Sequence, residues 1–177
     1  MDGVVDESRF TERASRLRLV LTDCDGVLTD AGVYYSARGE LMKRFSLRDG
    51  MGVERLRDAG IRTAIVSGEA SPAIRKRAEK LDIAAYLGVS RKTALLDRIL
   101  GEHECDRSAV AFIGDDVNDL PLMVEIGERG LTAAPADAMP DVMAVAHFRC
   151  RERGGHGAFR EFAEWLLALR GPEGGLT

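Results

Sequence analysis

The apolar residues of the chain fall into two patterns that alternate along the sequence. Short runs rich in branched aliphatic side chains, at residues 17–22, 63–67 and 110–114, are typical of buried strands. Weaker runs predict further short strands near Tyr86, Leu131 and Val145. Apolar residues at helical spacing predict helices over residues 51–58, 72–81, 93–100, 119–126 and 158–170. This alternation indicates an α/β fold of Rossmann-like type, doubly wound around a mainly parallel sheet.

One insertion interrupts the alternation after the first strand. Residues 32–45 read as two strand-like segments around the turn Ala37-Arg38-Gly39, which predicts a β-hairpin too short to form a separate cap domain. The domain is expected to span residues 17–170. Residues 1–16 are polar and carry no pattern, so we expect an N-terminal extension there, and we expect residues 171–177 to form a flexible tail.

Composition narrows the class of protein. With 177 residues, 45% hydrophobic and 31% charged, the chain is expected to form one soluble globular domain. The 29 acidic residues outnumber the 25 basic ones, so there is no basic field to hold a nucleic acid. Acidic residues near the start and the lack of a long apolar run predict a cytoplasmic protein without membrane contact. The three cysteines have no spacing that suggests zinc or a disulfide framework.

Polar side chains follow the predicted strands at the points where each strand ends. Asp23 and Asp25 come after the first strand and, two positions apart in an extended segment, point to the same side. Asp115 and Asp116 follow the strand at 110–114, so parallel pairing would bring all four carboxylates to one sheet edge. Crowded carboxylates repel one another unless a cation is present, and oxygen ligands favour Mg²⁺.

Each of these features also has a structural explanation by itself. An Asp-x-Asp pair can cap a helix, Ser67 before Gly68 can be a turn residue, and Lys92 can be a solvated lysine near a helix start capped by Ser90. The occurrence of all four motifs together favours a functional site, because Asp-x-Asp, Ser, Lys and Gly-Asp-Asp follow in that order at the ends of successive elements.

This order of motifs resembles the haloacid dehalogenase superfamily of phosphohydrolases. The motifs are DCDGVLTD, Ser67, Lys92 and GDDVND, and the resemblance spans Leu17 to about Val145. The hairpin, the segment FSLRDG and the terminal GGHGAFRE further resemble the small capless subclass that acts on sugar-acid phosphates. We therefore expect a magnesium-dependent phosphoric monoester hydrolase.

The resemblance implies a role for each acidic residue after the first strand. Asp23 would be the nucleophile that forms an aspartyl-phosphate, and Asp25 the general acid and base. Mg²⁺ would be held by the Asp23 carboxylate, the backbone carbonyl of Asp25 and the Asp115 carboxylate.

The remaining motif residues would act on the phosphoryl group or support those that do. The resemblance implies that Ser67 donates a hydrogen bond to a phosphoryl oxygen and that Lys92 neutralises charge there. Asp116 and Asp119 would orient Lys92 or metal-bound water.

The substrate signal lies in the segment after Ser67. The resemblance implies an acidic 2-keto-3-deoxy sugar phosphate, with Glu69, Arg77 and Lys80 in the pattern typical of nonulosonate 9-phosphate enzymes. The sequence therefore favours a nonulosonate, with 3-deoxy-manno-octulosonate 8-phosphate as the alternative. His156 stands where octulosonate enzymes commonly have Arg, and its role stays open. Apolar side chains on the hairpin would be costly to leave exposed on a monomer, and the resemblance implies a homotetramer in which the hairpins meet and neighbours complete each site. The alternative is a hairpin that folds back on its own sheet.

Two other classes of protein share some of these features. A signalling receiver domain also has clustered acids, a hydroxyl residue and a lysine, but its phosphorylated aspartate follows the third strand, whereas Asp23 follows the first. A non-catalytic assembly domain would not need both Asp23 and Asp25. An assay with a generic aryl phosphate separates the three classes, because only a phosphatase is expected to turn it over.

Overall fold

The computed structural model describes residues 7–171. Its α-helices are α1 (Glu7–Ser15), α2 (Leu47–Asp58), α3 (Pro72–Leu81), α4 (Leu96–Glu102), α5 (Leu120–Gly127), α6 (Pro140–Val145) and α7 (Ala158–Arg170). Its strands are β1 (Leu19–Thr22), β2 (Val33–Ser36), β3 (Gly39–Lys43), β4 (Arg62–Ser67), β5 (Ala84–Leu87), β6 (Val110–Ile113), β7 (Leu131–Ala134) and β8 (Phe148–Arg149). Short 3₁₀ helices occur at Lys92–Leu95 and Arg107–Ala109. Residues 172–177 of the expected tail lie outside the described residues.

The main sheet has six strands in the order β5-β4-β1-β6-β7-β8, and all its neighbouring strands pair in parallel. The α/β fold predicted from the alternation is therefore confirmed. β1 lies inside the sheet between β4 and β6, and the strand order reverses there. In open parallel sheets the crevice beyond such a reversal is where ligands bind.

Helices cover both faces of this sheet, with a hydrophobic core on each side. Alternate residues of β1 point to opposite faces, so Val20 belongs to one core while Leu19 and Leu21 belong to the other. The first core contains buried residues of α2, α3 and α7, and the second contains buried residues of α4, α5 and α6. Together the two cores hold β1 rigidly, and with it the segment that follows β1.

Part of the expected N-terminal extension is helical, although the sequence shows no pattern there; residues 1–6 of that extension lie outside the described residues. Residues Glu7–Ser15 form helix α1, and Ala14 is buried in the first core. Arg13 is also buried, and its guanidinium donates hydrogen bonds to the carbonyls of Gly127 and Gly130 at 2.8 and 2.7 Å. This polar anchor explains why the apolar pattern alone does not predict the helix.

Three local predictions need correction. Helix α2 begins at Leu47, one turn before Met51, because the Ser46 side chain accepts a hydrogen bond from the Arg48 backbone N–H and caps the helix. Ser90 does not cap the segment that holds Lys92, which begins as a 3₁₀ helix after Arg91. The residues that end at Val145 form helix α6, and the strand follows at Phe148–Arg149.

The predicted hairpin is present as strands β2 and β3, which pair with each other in a separate antiparallel sheet. No separate cap domain occurs between residues 7 and 171. The hairpin exposes most of its apolar side chains, including Tyr35 at 72% and Leu41 at 61% of their full area. Across the described part of the chain, no helix is long and apolar enough to cross a membrane.

Candidate active site

The site forms where β1 and β6 end side by side. Thr22 pairs with Ile113 at the ends of these strands, and the Asp23 N–H donates to the Ile113 carbonyl at 3.0 Å. Asp23 and Asp115 therefore leave adjacent strands at the same edge. Gly26 has φ of +85°, and any side chain there would collide with the Asp115 carboxylate. The glycine of DCDG thus allows the two acidic loops to approach each other.

Lys92 reaches the same edge from the 3₁₀ helix Lys92–Leu95. Its Nζ lies 2.8 Å from Asp23 Oδ1 and 2.6 Å from Asp119 Oδ1, and all three side chains are buried. Burial lowers the pKa of Lys92, but the charges and hydrogen bonds of the two carboxylates outweigh burial and raise it above its usual value. Lys92 therefore stays protonated and places a positive charge beside Asp23.

One lysine does not balance the acidic cluster. Burial and the charge of Asp119 raise the pKa of Asp23 to about 7, against the opposing effect of Lys92. Burial and the charges of Asp23, Asp119 and Asp116 raise the pKa of Asp115 to about 8. The folded chain thus holds these carboxylates in an environment that disfavours their ionised forms.

The cluster fits a divalent cation. Carboxylate oxygens of Asp23, Asp115 and Asp119 all lie within 4.8 Å of one another. Asp119 is already engaged, since Oδ1 accepts from Lys92 and Oδ2 accepts from the Asp115 N–H at 2.9 Å. Asp115 Oδ1, by contrast, is buried without a hydrogen-bond partner. Unpartnered buried oxygens are costly, so Asp23 and Asp115 are the pair suited to a metal, and Asp119 orients Lys92.

The Asp25 carboxylate turns away from this cluster toward the hairpin. Thr29 Oγ1 donates to Asp25 Oδ1 at 3.0 Å, and Lys43 Nζ donates to Asp25 Oδ2 at 2.7 Å. The sequence singled out Asp25 but missed Lys43. Lys43 lies in the hairpin and is distant in sequence from the strand ends of the main sheet, so no sequence pattern pointed to it.

A cavity of about 220 Å³ opens beside these carboxylates. Its lining residues are Asp23, Asp25, Ala31, Ser67, Gly68, Glu69, Asp115, Asp116 and Asn118. Ser67 ends β4, and its Oγ accepts the Glu69 N–H at 3.2 Å, which leaves the hydroxyl hydrogen free to donate. Asn118 lies within the GDDVND motif but was not singled out, because an amide after two carboxylates also suits a turn.

Not every residue singled out by sequence lies at this cavity. The Arg77 guanidinium donates to the Ser46 carbonyl at 2.8 Å and lies 5.7 Å from the centre of the Phe45 ring, so it braces α2 and the end of the hairpin. Lys80 is exposed on α3. Neither lines the cavity within one chain, and neither does His156. Asp116 does line it, but is exposed, with Oδ1 accepting the N–H of Val117.

The glycine-rich segment before α7 supports the loop after β1. Gly155 N–H donates to the Val27 carbonyl at 2.9 Å, and the Gly155 carbonyl accepts from Arg44 at 3.0 Å. A side chain at Gly154 would collide with the Gly26 backbone. The segment therefore packs against the Asp23–Asp30 loop and supports it. This close packing explains why Gly154 and Gly155 are glycines, and it requires no catalytic role for them.

Comparison with known proteins places this geometry in a family. No family model matches the chain. The 3-deoxy-D-manno-octulosonate 8-phosphate phosphatase of Yersinia pestis is 36% identical over 94% of this chain and 88% of its own length. The solved cobalt-bound phosphatase of Haemophilus influenzae superposes with a TM-score of 0.85 at 36% identity, covering 90% of this chain and 92% of that one.

A further solved structure carries ligands. The 3-deoxy-D-manno-octulosonate 8-phosphate phosphatase of Moraxella catarrhalis, in complex with magnesium ion, phosphate ion and KDO, superposes with a TM-score of 0.85 at 29% identity, over 92% of each chain. The geometry of the site, the six-stranded fold without a separate cap and the level of sequence identity all point to the same family. The chain belongs to the haloacid dehalogenase superfamily of hydrolases, in the group of capless phosphatases that includes these enzymes.

Proposed function

We propose that the protein hydrolyses the phosphate monoester of a 2-keto-3-deoxy sugar acid through an aspartyl-phosphate formed on Asp23. The observation that carries this proposal is the buried Asp23 carboxylate, which lies 2.8 Å from the ammonium of Lys92 and lines an open cavity beside Asp25 and Ser67. A nucleophile, an acid–base group and two donors for phosphoryl oxygens thus meet in one place.

The chemistry follows from these positions. An Asp23 oxygen attacks phosphorus and forms the aspartyl-phosphate bond, while the bond from phosphorus to the leaving oxygen breaks and Asp25 supplies the proton that oxygen needs. Asp25, now a carboxylate, removes a proton from the water that attacks the intermediate. Lys92 and the Ser67 hydroxyl stabilise the negative charge that develops on the phosphoryl oxygens.

Mg²⁺ is part of the proposal, held by the carboxylates of Asp23 and Asp115 and by the Asp25 backbone carbonyl. The unpartnered Asp115 Oδ1 supports it, as do the magnesium and cobalt ions in the related structures. When bound, the ion offsets repulsion between the carboxylates and the phosphate dianion. Chelation with EDTA is expected to abolish turnover and added Mg²⁺ to restore it.

The proposed substrate is 3-deoxy-D-manno-octulosonate 8-phosphate. The curated relatives that match most of the chain carry this substrate in their names. A nonulosonate 9-phosphate is the second candidate. Glu69 lines the cavity and supports it, but Arg77 is occupied by Ser46, which weakens the three-residue pattern on which the preference from sequence rests.

A substrate panel tests this choice. The kcat/KM of the purified protein should be compared for the eight-carbon and nine-carbon acid phosphates and for a neutral hexose 6-phosphate. A preference of at least about tenfold for either acid supports the sugar-acid assignment, and its direction selects the candidate. Equal kcat/KM values for all three compounds would contradict substrate recognition of this kind.

We also propose that the protein works as a homotetramer in which the hairpins meet. Tyr34, Tyr35, Leu41 and Met42 are all more than half exposed on the single chain, and burying such side chains favours association by about 25 cal/mol per Å². In such an assembly Glu69 would recognise the substrate from its own subunit, and we place Arg77 and Lys80 facing a neighbour's site.

Sedimentation velocity of wild type and Leu41→Ser tests the assembly. We expect a tetramer for wild type and smaller species for the variant, with lower activity. Val124→Ser is the matched control, because Val124 is also about half exposed but lies on α5, away from the hairpin. A fully active wild-type monomer would contradict the proposal.

A further inference from the structure

The hairpin is attached to the active site by a buried lysine. Lys43, the last residue of β3, has an amino group 2.7 Å from Asp25 Oδ2, and its side chain is only 1% exposed. Glu40 of the same strand lies 3.8 Å from that amino group and accepts a hydrogen bond from the Ser71 hydroxyl at the start of α3. The network links the hairpin, the acid–base residue and the segment after Ser67.

These contacts fix the Asp25 carboxylate at both oxygens. Oδ1 accepts from the Thr29 hydroxyl at 3.0 Å, while Oδ2 accepts from Lys43. Thr29 is itself held, since its Oγ1 accepts the Ala31 N–H at 3.2 Å. Without Lys43 only one oxygen would keep a partner, and the carboxylate could rotate about its terminal bonds.

The burial of Lys43 calls for an explanation. Removing an ammonium from water costs several kcal/mol unless it is paired, whereas Lys76 pairs with Glu79 in solvent with 80% of its side chain exposed. The neighbours of Lys43 on the hairpin, Leu41 and Met42, are left exposed. The hairpin thus exposes apolar side chains and buries a charged one, the reverse of the usual pattern. The contact between Lys43 and Asp25 explains this reversal.

We propose that Lys43 is a positioning residue: its ammonium holds the Asp25 carboxyl at the rim of the cavity in the orientation that proton transfer requires. The inference rests on the acid–base role of Asp25 in the proposed function. In that step the proton of Asp25 passes to the leaving oxygen as its bond to phosphorus breaks, so a misoriented carboxyl slows reactions whose leaving group needs a proton.

Leaving-group dependence separates this role from a general structural one. An alkyl phosphate such as 3-deoxy-D-manno-octulosonate 8-phosphate needs a proton on its leaving oxygen, whereas p-nitrophenyl phosphate releases a stable phenolate. For Lys43→Met we expect kcat/KM to fall at least about tenfold with the alkyl phosphate and less than about threefold with p-nitrophenyl phosphate, because acid–base catalysis is worth about 10²–10⁴-fold. Lys76→Met is the matched control and should resemble wild type with both substrates.

A double-mutant cycle provides the second readout. If Lys43 acts through Asp25, then Lys43→Met should have little further effect on kcat/KM in an Asp25→Asn background. Lys43→Gln keeps a hydrogen-bond donor and should lose less than Lys43→Met; it also replaces that variant if the methionine protein does not fold.

The possible outcomes distinguish a failure of the positioning role of Lys43 from a failure of the acid–base role of Asp25. An equal loss for both substrates, or a full additional loss in the Asp25→Asn background, would overturn the role of Lys43. If Asp25→Asn lowers kcat/KM, which reports formation of the aspartyl-phosphate, equally for both substrates, then Asp25 is not the acid for the leaving oxygen, and the positioning role of Lys43 fails with that assignment.

Discussion

Replacing Asp115 by Asn should raise the stability of the metal-free protein and remove most of the stabilisation by Mg²⁺. Asp115 has a buried oxygen without a partner and a pKa raised to about 8, so its ionised form is unfavourable in the folded chain without a cation. The amide keeps the size of the side chain but carries no charge. We therefore expect Asp115→Asn to be more stable than wild type in EDTA and to gain little from Mg²⁺.

The distances set the magnitude. Two carboxylates no more than 4.8 Å apart repel by about 3 kcal/mol or more at an effective dielectric constant of about 20, and Lys92 cancels part of this repulsion. A net gain of about 1–3 kcal/mol remains for the variant, and each kcal/mol shifts Tm by about 2–4 °C in a chain of this size. In wild type, Mg²⁺ at about 100 times its Kd should add about 2.7 kcal/mol to the unfolding free energy.

Thermal unfolding followed by circular dichroism, with EDTA and with Mg²⁺, measures both effects. Asp141→Asn is the control, since Asp141 is an exposed carboxylate in the first turn of α6, and its removal should leave the shift in Tm between EDTA and Mg²⁺ as in wild type. A variant that keeps the wild-type response to Mg²⁺ would refute the assignment of Asp115 as a ligand. One that is less stable than wild type in EDTA would refute the repulsion argument.

Three further substitutions test other parts of the structure. Asp23→Asn should keep the fold but lower kcat with p-nitrophenyl phosphate by at least about 10³-fold, because an amide cannot act as the nucleophile; activity within tenfold of wild type would exclude it. Arg13→Met removes the donor from the partly buried carbonyl of Gly127 and the buried carbonyl of Gly130, and it should lower the free energy of unfolding in urea by about 2–4 kcal/mol; a change below about 0.5 kcal/mol would show that α1 is not anchored there. Burial raises the pKa of Asp49 to about 6, so the unfolded chain loses this proton first and wild-type stability should fall as pH rises from about 4 to 6. Asp49→Asn should make this fall smaller and leave the part that comes from Asp23 and Asp115, whose pKa values are also raised. An unfolding free energy with the same pH dependence in both proteins would contradict this prediction.

The strand-end residues could be predicted because their placement needs only local information. A short apolar run followed by Asp23, or by Asp115, places that carboxylate at the carboxyl end of a strand whatever the rest of the chain does. Parallel pairing then brings the two together without knowledge of the exact strand order. The fold class was predictable for the same reason, since the alternation of strands and helices leaves few other arrangements.

Other features depend on long side chains and could not be predicted in this way. Lys43 and Arg77 are both long and basic, and the sequence does not show that the first turns inward to Asp25 while the second turns to the Ser46 carbonyl. Helix α1 was missed because only two of its residues, Phe10 and Ala14, are apolar, and because Arg13 attaches it through hydrogen bonds to carbonyls more than 100 residues away. Apolar periodicity contains no information about such polar contacts.

The hairpin connects two proposals that would otherwise be independent. Its exposed side chains, Tyr35 and Leu41 among them, are those we assign to the subunit interface, while Lys43 at its end holds Asp25. If neighbouring subunits fix the hairpin, dissociation should loosen Lys43 and impair proton transfer to the leaving oxygen more than the other steps. Activity measured at falling protein concentration should therefore decline sooner with an alkyl phosphate than with p-nitrophenyl phosphate. A parallel decline for both substrates would show that assembly acts on the whole site and not through the Lys43–Asp25 contact.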